Sequence, residues 1–482
     1  PADTVTVETD LYTCSLSSRG GGTLLSWRLK KYYKGEKKHK KLVDLVPPRT
    51  SGNLGMHLGK AESLHYTPFE RVSRTTRNEG GKTIHTLIYQ TRLEAGGIIK
   101  REFKFVDGGY DLFLRIHYTD VAGETAAEGY LLDWPNGIAP TERRVSDDER
   151  YLEAFALQGG EILKTKDEPT GFRPGQTDWV AVRNKYFLMA IMPAEGSGDG
   201  ARLAGREVEI LDENNEKTKW RVMNASLFMD NKTRTGVVGE FNVYLGPMDY
   251  QEVTRYEAEL DRLMNFGWAV IRPIGVGLYH VLQFLQGLFN SYGLAIIVLA
   301  ILVKIVLYPL TRKSYQSMHA MQELQPKMEA IKEKYKDEPQ KMNQETMKLY
   351  KKHGVNPMGG CLPMLLQMPV LFSLFNLFRT TIMLRQASFL GGLISDLSAP
   401  DQMIAGSVNL LPLIMGVTMI AKQRLTMKDP KQKAMTYMMP IFFTFIFYKF
   451  SAGLNLYYFM FNILTIAQEL LVKKSPKKPA QK

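Results

Sequence analysis

The sequence predicts a two-part membrane protein in which an N-terminal antiparallel β-sandwich precedes five apolar helices that span a bilayer. Three observations predict this architecture. Residues 1–260 carry closely spaced charges and short alternating apolar runs, whereas the chain beyond residue 265 contains long, nearly uncharged stretches rich in Leu, Ile, Met and Phe. Turn residues separate β-rich runs in the first part. In the second part, Lys and Arg are concentrated in alternate connecting segments.

The N-terminal part repeats the pattern of short β-strands. Its clearest example is a pair of β-rich runs, 101–106 and 110–118, which are joined by the turn sequence Asp107-Gly108-Gly109 and predict a β-hairpin. Similar runs, separated by turn residues, cover 5–15, 83–93, 186–192, 222–229 and 240–245. This spacing favours an antiparallel sandwich over residues 1–260.

Chemistry-bearing patterns are scarce in this first part. The basic cluster 30–41 predicts a solvated loop rather than a nucleic-acid patch, because a domain outside the cytoplasm seldom meets nucleic acid. The histidines do not have the spacing of metal ligands, and nothing places an acid and a base together. We therefore predict no enzyme activity, no cofactor and no metal site. The histidines in question are His57, His65, His85 and His117.

Five stretches of the second part are long and apolar enough to span a membrane. About 20 helical residues cross a hydrocarbon core of ~30 Å. The predicted spans, within a core over 291–472, are 292–311, 358–384, 405–424, 435–450 and 454–472. A short apolar stretch with flanking aromatic residues precedes them and predicts an interfacial amphipathic helix over 266–290.

Basic residues orient the spans. Segment 312–353 contains ten Lys or Arg, 422–433 contains five and 473–482 contains five, whereas 385–404 contains one. By the positive-inside rule the three basic segments are cytoplasmic. The C-terminus is then cytoplasmic, and residues 1–265 lie on the other side of the membrane.

This topology has two consequences for the soluble part. An exported domain of this size requires a signal or an anchor, so we expect an N-terminal signal-anchor to precede Pro1. Cys14 and Cys361 lie on opposite sides of the membrane, which predicts that they do not form a disulfide with each other.

The basic segment 312–353 predicts a helical hairpin. Apolar residues three or four apart form one helical stripe from Met318 to Tyr335, and Pro339 suits the first turn of a second amphipathic helix. The hairpin is either a solvated linker whose stripes pack together or a docking site for a partner or anionic lipid.

Lys304 interrupts the first span and is the main candidate for a functional residue. A cation near the bilayer centre costs about 2.5 to 3.5 kcal/mol on insertion scales, so it faces water, protein or a ligand. Snorkelling is the alternative, but Arg312 lies about 12 Å further along the helix, which is far for one side chain. The first four spans contain no Asp or Glu, and Glu469 lies near the inner end of the fifth. We therefore expect Lys304 to have no acidic partner.

Seven motifs of the second part resemble the YidC/Oxa/Alb family of membrane protein insertases in order and spacing. They are Tyr308-Pro-Leu-Thr311, Leu324-Gln-Pro-Lys327, Val355-Asn-Pro-Met-Gly-Gly-Cys361, Gln367-Met-Pro369, Leu384-Arg-Gln-Ala387, Met415-Gly-Val-Thr-Met419 and Gly453-Leu-Asn-Leu-Tyr-Tyr458. The resemblance is to Gram-negative members with a large periplasmic domain. It implies a periplasmic β-supersandwich, a five-span insertase core and a cytoplasmic hairpin.

The resemblance also implies a function: an ATP-independent insertase and chaperone of the bacterial inner membrane, with a hydrophilic groove closed on the outer side. Lys304 occupies the position of the family's basic groove residue, which is usually Arg; lysine keeps the charge but loses the bidentate fork. Met368 and Tyr458 resemble substrate contacts, and we assign Gln367 and Asn462 to the same substrate-binding site. Interhelical hydrogen bonding is the alternative role for the polar residues of these spans.

We hypothesise that Lys304 and groove water receive the polar or acidic exported part of a client, while its apolar segment slides along the spans. The resemblance implies nascent membrane proteins, membrane lipids and the Sec translocon as partners. Ribosomes would bind through the basic hairpin and the tail 473–482, and we expect no direct nucleic-acid recognition. Two alternatives remain: a proton-coupled transporter or channel in which Lys304 titrates, and an enzyme acting on sugars that the spans anchor.

Overall fold

The polypeptide folds as two units, Pro1–Asp261 and Arg262–Lys482. The computed structural model describes residues 2–34, 41–48, 52–59, 62–165, 171–211, 217–354, 362–403, 408–426 and 433–474. Three predicted features lie wholly or largely outside these residues: the family motif at 355–361, Cys361 within it, and the basic tail beyond Lys474.

The first unit is built from β-strands. They are β1 Thr4–Glu8, β2 Tyr12–Ser17, β3 Thr23–Lys34, β4 Lys41–Asp44, β5 Gly55–Leu58, β6 Glu62–Ser63, β7 Glu70–Glu79, β8 Lys82–Arg92, β9 Ile98–Val106, β10 Asp111–Thr119, β11 Tyr130–Trp134, β12 Glu153–Gln158, β13 Glu161–Thr165, β14 Phe172–Arg183, β15 Phe187–Pro193, β16 Gly198–Leu211, β17 Lys217–Met229 and β18 Gly236–Pro247. Three short helices connect them: α1 Gly123–Ala127, α2 Val145–Glu149 and α3 Tyr250–Thr254. Single 3-10 turns cover Leu64–Tyr66 and Leu260–Leu263.

These strands form two sheets. Strands β1 to β4 make a four-stranded sheet in sequence order, and the other fourteen make a larger sheet ordered β6-β5-β11-β17-β16-β14-β15-β18-β10-β9-β8-β7, with β12 pairing with β13 and β14. The hairpin predicted around Asp107 is confirmed, because β9 pairs antiparallel with β10 and places Phe105 opposite Leu112. Residues alternate between buried and half-buried along most of β10, as expected for a strand with one face against the core.

The core of this unit is rich in aromatic side chains. Trp27 and Tyr12 are fully buried, and their stacked ring centroids lie 3.8 Å apart. The Tyr12 hydroxyl donates a hydrogen bond of 3.0 Å to the carbonyl oxygen of Asp111 in β10. The smaller sheet is thereby joined to the larger one, as a sandwich requires.

Two local predictions for this unit are wrong. The run 5–15 is two strands, because the Thr9 N–H donates to the Tyr12 carbonyl and the Thr9 hydroxyl accepts from the Tyr12 N–H, which reverses the chain. The basic cluster 30–41 is not a loop throughout, because β3 continues to Lys34, which lies opposite Lys41 in the antiparallel pair with β4. Residues 35–40 of that cluster lie outside the described part.

The second unit is helical. Its helices are α4 Arg272–Phe289, α5 Tyr292–Glu323, α6 Gln325–Lys334, α7 Pro339–Lys352, α8 Leu362–Thr380, α9 Leu410–Thr426, α10 Lys433–Phe447 and α11 Ala452–Lys474, with 3-10 turns at Ile382–Leu384 and Leu390–Gly392. Among the described helices, Tyr292–Pro309 is long and apolar enough to cross a membrane, and Thr436–Phe447 is a shorter apolar helix. The five-span count stays a prediction.

Helix α11 is central to the packing, because it contacts both α5 and α9. Helix α10 packs on α9, and α4 packs on α5 and α8. Helix α4 is amphipathic, with Tyr279 and Leu282 buried on one face and Phe284 70% exposed on the other. It begins at Arg272, whereas the predicted interfacial helix began at 266.

The first membrane helix is longer than the predicted span. Helix α5 continues through Pro309 to Glu323, so the predicted hairpin helix from Met318 to Tyr335 is not one helix. The helix is interrupted at Leu324, which precedes the first residue of α6. Pro326 lies in the first turn of α6, where its missing N–H breaks no hydrogen bond to a preceding turn. The second predicted hairpin helix does begin at Pro339.

Candidate functional site

Lys304 lies near the middle of α5 and contacts α11. Its Nζ donates a hydrogen bond of 2.9 Å to Thr465 Oγ1 and lies 4.6 Å from the centroid of the Phe461 ring. Only 7% of Lys304 is exposed. Phe461 and Thr465 are one turn apart and so occupy the same face of α11. The ammonium group therefore lies against protein and not lipid.

A second polar contact continues the α5–α11 pairing. Gln468 Nε2 donates a hydrogen bond of 3.0 Å to Thr311 Oγ1, and both residues are buried. Thr311 follows Lys304 on α5, and Gln468 follows Thr465 on α11. Because the contacts advance toward the C-terminus of both helices, α5 and α11 run parallel.

Helix α9 brings a second lysine to α11. Lys422 Nζ donates a hydrogen bond of 3.2 Å to Asn462 Oδ1. Asn462 Nδ2 donates in turn to Thr418 Oγ1, at 3.4 Å. The sequence analysis used Lys422 only as one of the five basic residues of segment 422–433 that indicate the topology. The sequence could have indicated a site residue, since Lys422 lies one helical turn after Thr418 and directly follows an apolar run.

Glu469 completes the charged residues at this level of the bundle. It is 3% exposed, and its carboxylate interacts electrostatically with Lys422 and Lys304. The expectation that Lys304 has no acidic partner is therefore wrong. The physical reason is the helical period: Glu469 lies one turn beyond Thr465 on the same face of α11, the face that contacts Lys304.

We call these residues the polar layer. Its members are Lys304, Thr311, Thr418, Lys422, Asn462, Thr465, Gln468 and Glu469. Three helices contribute to it, and their opposite faces are apolar: Ile305 and Val306 on α5 are 62% and 74% exposed, and Val417 on α9 is 66% exposed. Such faces suit a hydrocarbon environment.

The other predicted site residues are less closely associated. Tyr458 lies one turn before Asn462 on α11, and its ring packs edge-on against Phe447 with centroids 4.9 Å apart. Gln367 and Met368 are half-buried on α8, a helix that contacts α4, α5 and α11. Of the predicted site residues, Lys304 and Asn462 belong to the polar layer. Thr465, Lys422 and Glu469 also belong to it but were not predicted as site residues from the sequence.

The opposite end of the bundle, near the N-termini of α5, α9 and α11, is packed with apolar side chains. The Gly453 N–H donates to the Leu397 carbonyl at 2.8 Å, and a Cβ at position 453 would lie only 3.1 Å from that oxygen. Asp401 Oδ2 accepts from the Leu410 N–H at 2.6 Å, which ties the connection between α8 and α9 to the start of α9. We call four buried apolar residues at this end the apolar plug: Ile296, Leu384, Leu397 and Leu454.

Comparison with known proteins agrees with this architecture. Residues 4–274 match the family model for the YidC periplasmic domain, and residues 284–479 match that for the 60Kd inner membrane protein. The membrane protein insertase YidC of Pelodictyon phaeoclathratiforme is 35% identical over 498 residues, which cover 97% of this chain and 82% of that protein. The chain belongs to the YidC family. The YidC of Chlorobium luteolum is 34% identical over 495 residues, with 97% and 82% of the two chains covered.

Membership of the YidC family confirms the resemblance drawn from the seven motifs, together with the β-sandwich periplasmic domain and the helical core. Among solved structures, an active YidC insertase with its first transmembrane domain resolved aligns over 97% of this chain and 93% of that one, with 22% identity and a TM-score of 0.41. The assignment rests on the sequence matches and not on this alignment.

Proposed function

We propose that this chain inserts proteins into the bacterial inner membrane and assists their folding, and that the polar layer holds the polar part of each client. Membership of the YidC family supports the insertase activity. The observation that carries the role of the layer is the burial of Lys304, a residue only 7% exposed within an apolar helix. In this proposal residues 1–265 are periplasmic and the C-terminus is cytoplasmic.

The physical benefit to a client is the reduced free energy of bringing polar groups into the bilayer. An isolated carboxylate in hydrocarbon is strongly unfavourable, and a nearby cation together with hydroxyl and amide groups offsets part of that penalty. Lys304 supplies the cation, and Thr465 holds it on the α11 face through the 2.9 Å hydrogen bond. The neutral members of the layer supply donors and acceptors for uncharged polar segments.

The two ends of the bundle differ in a way that suits one-sided access. In the proposed topology the apolar plug lies at the outer end and the polar layer lies toward the cytoplasm. A client entering from the cytoplasm would therefore reach polar groups before meeting the plug. Its apolar segment would lie against the spans that carry Met368 and Tyr458, with Gln367 beside them.

Partners of the cytoplasmic side form a further part of the proposal. Helices α6 and α7 pack together, with Tyr350 Oη donating to Met328 Sδ at 3.0 Å, and their outer surface carries several lysines. We assign ribosome binding to this hairpin and the basic tail, and we include the Sec translocon as a partner in the membrane. Unchanged ribosome co-sedimentation after deletion of both hairpin and tail would remove the ribosome assignment.

The central experiment replaces Lys304 by Leu, Arg and Glu in the full chain, reconstituted into liposomes. The client is a single-span protein with an acidic exported segment, and its matched form carries Asn in place of Asp. We expect Arg to retain insertion of the acidic client and Leu and Glu to lose it.

Lys348→Leu is the control, because Lys348 is an exposed lysine paired with Glu345 at 2.6 Å on α7. Full activity of Lys304→Leu or Lys304→Glu would refute the role of the charge. Substrate-dependent proton flux in the same liposomes would favour the transporter alternative instead.

A further inference from the structure

Arg424 and Tyr437 join the C-terminal end of α9 to the N-terminal end of α10. The Arg424 guanidinium donates two hydrogen bonds to the Tyr437 hydroxyl oxygen, from Nε at 3.1 Å and from Nη2 at 2.7 Å. Its Cζ also lies over the Tyr437 ring, 5.3 Å from the centroid. Both residues are exposed. The pair therefore holds a guanidinium group in a defined position on the surface of the helical unit.

This pair has hydrogen-bond donors that the contact between its members does not use. A guanidinium group has five N–H donors, and the Tyr437 hydroxyl accepts from two of them, so three remain. The hydroxyl accepts these two bonds and keeps its own hydrogen for donation. A planar fork of N–H groups matches the oxygens of a phosphate, which accepts two parallel hydrogen bonds. The donor set thus suits a phosphate group.

An apolar stripe leads away from each member of the pair along its own helix. On α9 the stripe covers the eleven residues before Arg424, or about 16 Å, and on α10 it covers the eight residues after Tyr437, or about 12 Å. One leaflet of a bilayer contributes about 15 Å of hydrocarbon. The two stripes therefore have the length of lipid acyl chains. The stripe residues are Leu413 and Val417 on α9, 42% and 66% exposed, and Ile441 and Phe445 on α10, 62% and 79% exposed.

The charge around the pair indicates the kind of lipid. Segment 422–433 contains five Lys or Arg and one acidic residue, Asp429. In the proposed topology this segment lies at the cytoplasmic surface, where basic residues attract lipids that carry a net negative charge. Arg424 lies between that surface and the apolar stripes, which is the depth of a phospholipid headgroup. Charge complementarity therefore favours an anionic phospholipid over a zwitterionic one.

We propose that Arg424 and Tyr437 bind the phosphate group of an anionic phospholipid whose acyl chains lie along the apolar stripes of α9 and α10. This inference rests on the proposed function in one respect, since α9 and α10 must cross the membrane. It involves neither Lys304 nor the path of the client. The bound lipid contacts both helices and stabilises the folded protein by mass action.

The experiment measures lipid binding to the full-length protein by native mass spectrometry. Detergent-solubilised protein is mixed with phosphatidylglycerol or with phosphatidylcholine of the same acyl chains, and the ratio of the bound amounts is determined. The variants are Arg424→Gln and Tyr437→Phe. Arg312→Gln is the matched control, because Arg312 is an exposed arginine close to the predicted cytoplasmic end of the first span. Thermal unfolding is recorded for each protein with each lipid.

We expect wild type to bind phosphatidylglycerol in preference to phosphatidylcholine. Arg424→Gln should lower the ratio about tenfold, the factor that corresponds to the loss of one hydrogen bond with a charged partner. Tyr437→Phe should lower it by less, because the charge remains but the hydroxyl no longer holds it. Arg312→Gln should keep the wild-type ratio. Phosphatidylglycerol should raise the unfolding temperature of wild type more than that of Arg424→Gln.

Three outcomes would overturn the lipid site. An unchanged ratio in Arg424→Gln would exclude it, and an equal fall in Arg312→Gln would show that any surface charge has the same effect. Equal destabilisation of Arg424→Gln with both lipids and no change in the ratio would show that Arg424 only ties α9 to α10. Glycerol phosphate at the concentration of the lipid should not displace it, and displacement would indicate a site for small phosphates instead.

Failure of this inference is distinguishable from failure of the proposed function. Lys304→Leu should keep the preference for phosphatidylglycerol while losing insertion of the acidic client. Loss of the acidic client without loss of lipid preference therefore concerns Lys304 alone, and an unchanged lipid ratio in Arg424→Gln concerns the lipid site alone.

Discussion

Replacing Thr465 by Val tests whether the position of the Lys304 ammonium group matters as well as its charge. Valine has nearly the shape of threonine, so packing between α5 and α11 should be preserved. The substitution removes the oxygen that accepts the 2.9 Å hydrogen bond from Lys304 Nζ. A hydrogen bond with one charged partner contributes about 1.5 to 3 kcal/mol.

That free energy sets the expected size of the effect. Each 1.4 kcal/mol corresponds to about tenfold in an equilibrium constant, so losing the hydrogen bond should change occupancy of the observed Lys304 position by about tenfold or more. If the client's carboxylate meets Lys304 there, the preference for an Asp client over its Asn form should fall by a similar factor. Insertion of the Asn client should change less, because it loses one neutral hydroxyl and does not pair with the ammonium group.

The assay is insertion of the paired Asp and Asn clients into liposomes that contain each full-length variant. Thr465→Ser keeps the hydroxyl and should retain the wild-type preference. Thr311→Val is the matched control, because it breaks the 3.0 Å contact with Gln468 and leaves Lys304 in place. An unchanged Asp preference in Thr465→Val, or an equal loss with both clients, would refute the positioning role.

Three further predictions concern stability and the apolar plug. Glu153→Gln should lower the free energy of unfolding by about 3 to 5 kcal/mol, because it removes the acid of a buried pair whose other member, Arg183, lies 3.2 Å away. Tryptophan fluorescence in urea measures the free energy of unfolding. A double variant with Met at positions 153 and 183 that is no more stable than Glu153→Gln would contradict the prediction. Burial, with the added charge of Glu142, raises the pKa of Asp148 to about 6 from its ordinary 3.8, so this group's contribution to stability is full below about pH 4 and is lost as pH rises through 6. Between pH 4 and 7, the free energy of unfolding of Asp148→Asn should therefore fall by about 3 kcal/mol less than that of the wild type. An unchanged pH profile would contradict this prediction. Gly453→Val should overpack the apolar plug, lower the free energy of unfolding by about 1 to 3 kcal/mol and increase dye leakage from liposomes. Gly277→Val is the control, because a Cβ there has open space around it. Equal leakage from both variants would contradict the prediction.

The parts of the fold that follow from local patterns were predictable from the sequence. The two β-rich runs 101–106 and 110–118 and the turn sequence at Asp107 predicted the hairpin that β9 and β10 form, because both signals act over a few residues. The break at Leu324 was not predictable in the same way. An apolar stripe has the same spacing whether it belongs to one helix or continues across two, and α5 continued past the predicted end of the span to Glu323.

Of the polar layer, only Lys304 and Asn462 were predicted as site residues from the sequence. Lys304 stands out because a charge within an apolar run conflicts with its local environment. Its contact with Thr465 joins positions 161 residues apart, and the spacing of neither helix indicates which faces meet. Lys422 was concealed for another reason. Counting charges in the basic segment treats its members alike, although Lys422 alone among them is hydrogen bonded to Asn462 in the described structure.

The surroundings of Lys304 give a physical account of why lysine, rather than the family's usual arginine, can serve at this position. The Thr465 hydroxyl oxygen accepts a hydrogen bond from Nζ, and the face of the Phe461 ring contacts the charge, which suits a compact ammonium group. A guanidinium group would instead present five donors in a planar fork. The layer contains a second lysine, and the carboxylate of Glu469 interacts with both. In the proposed function, attraction of an acidic client depends on charged residues from three helices, so a lysine at 304 can fulfil a role that requires charge and not a bidentate fork.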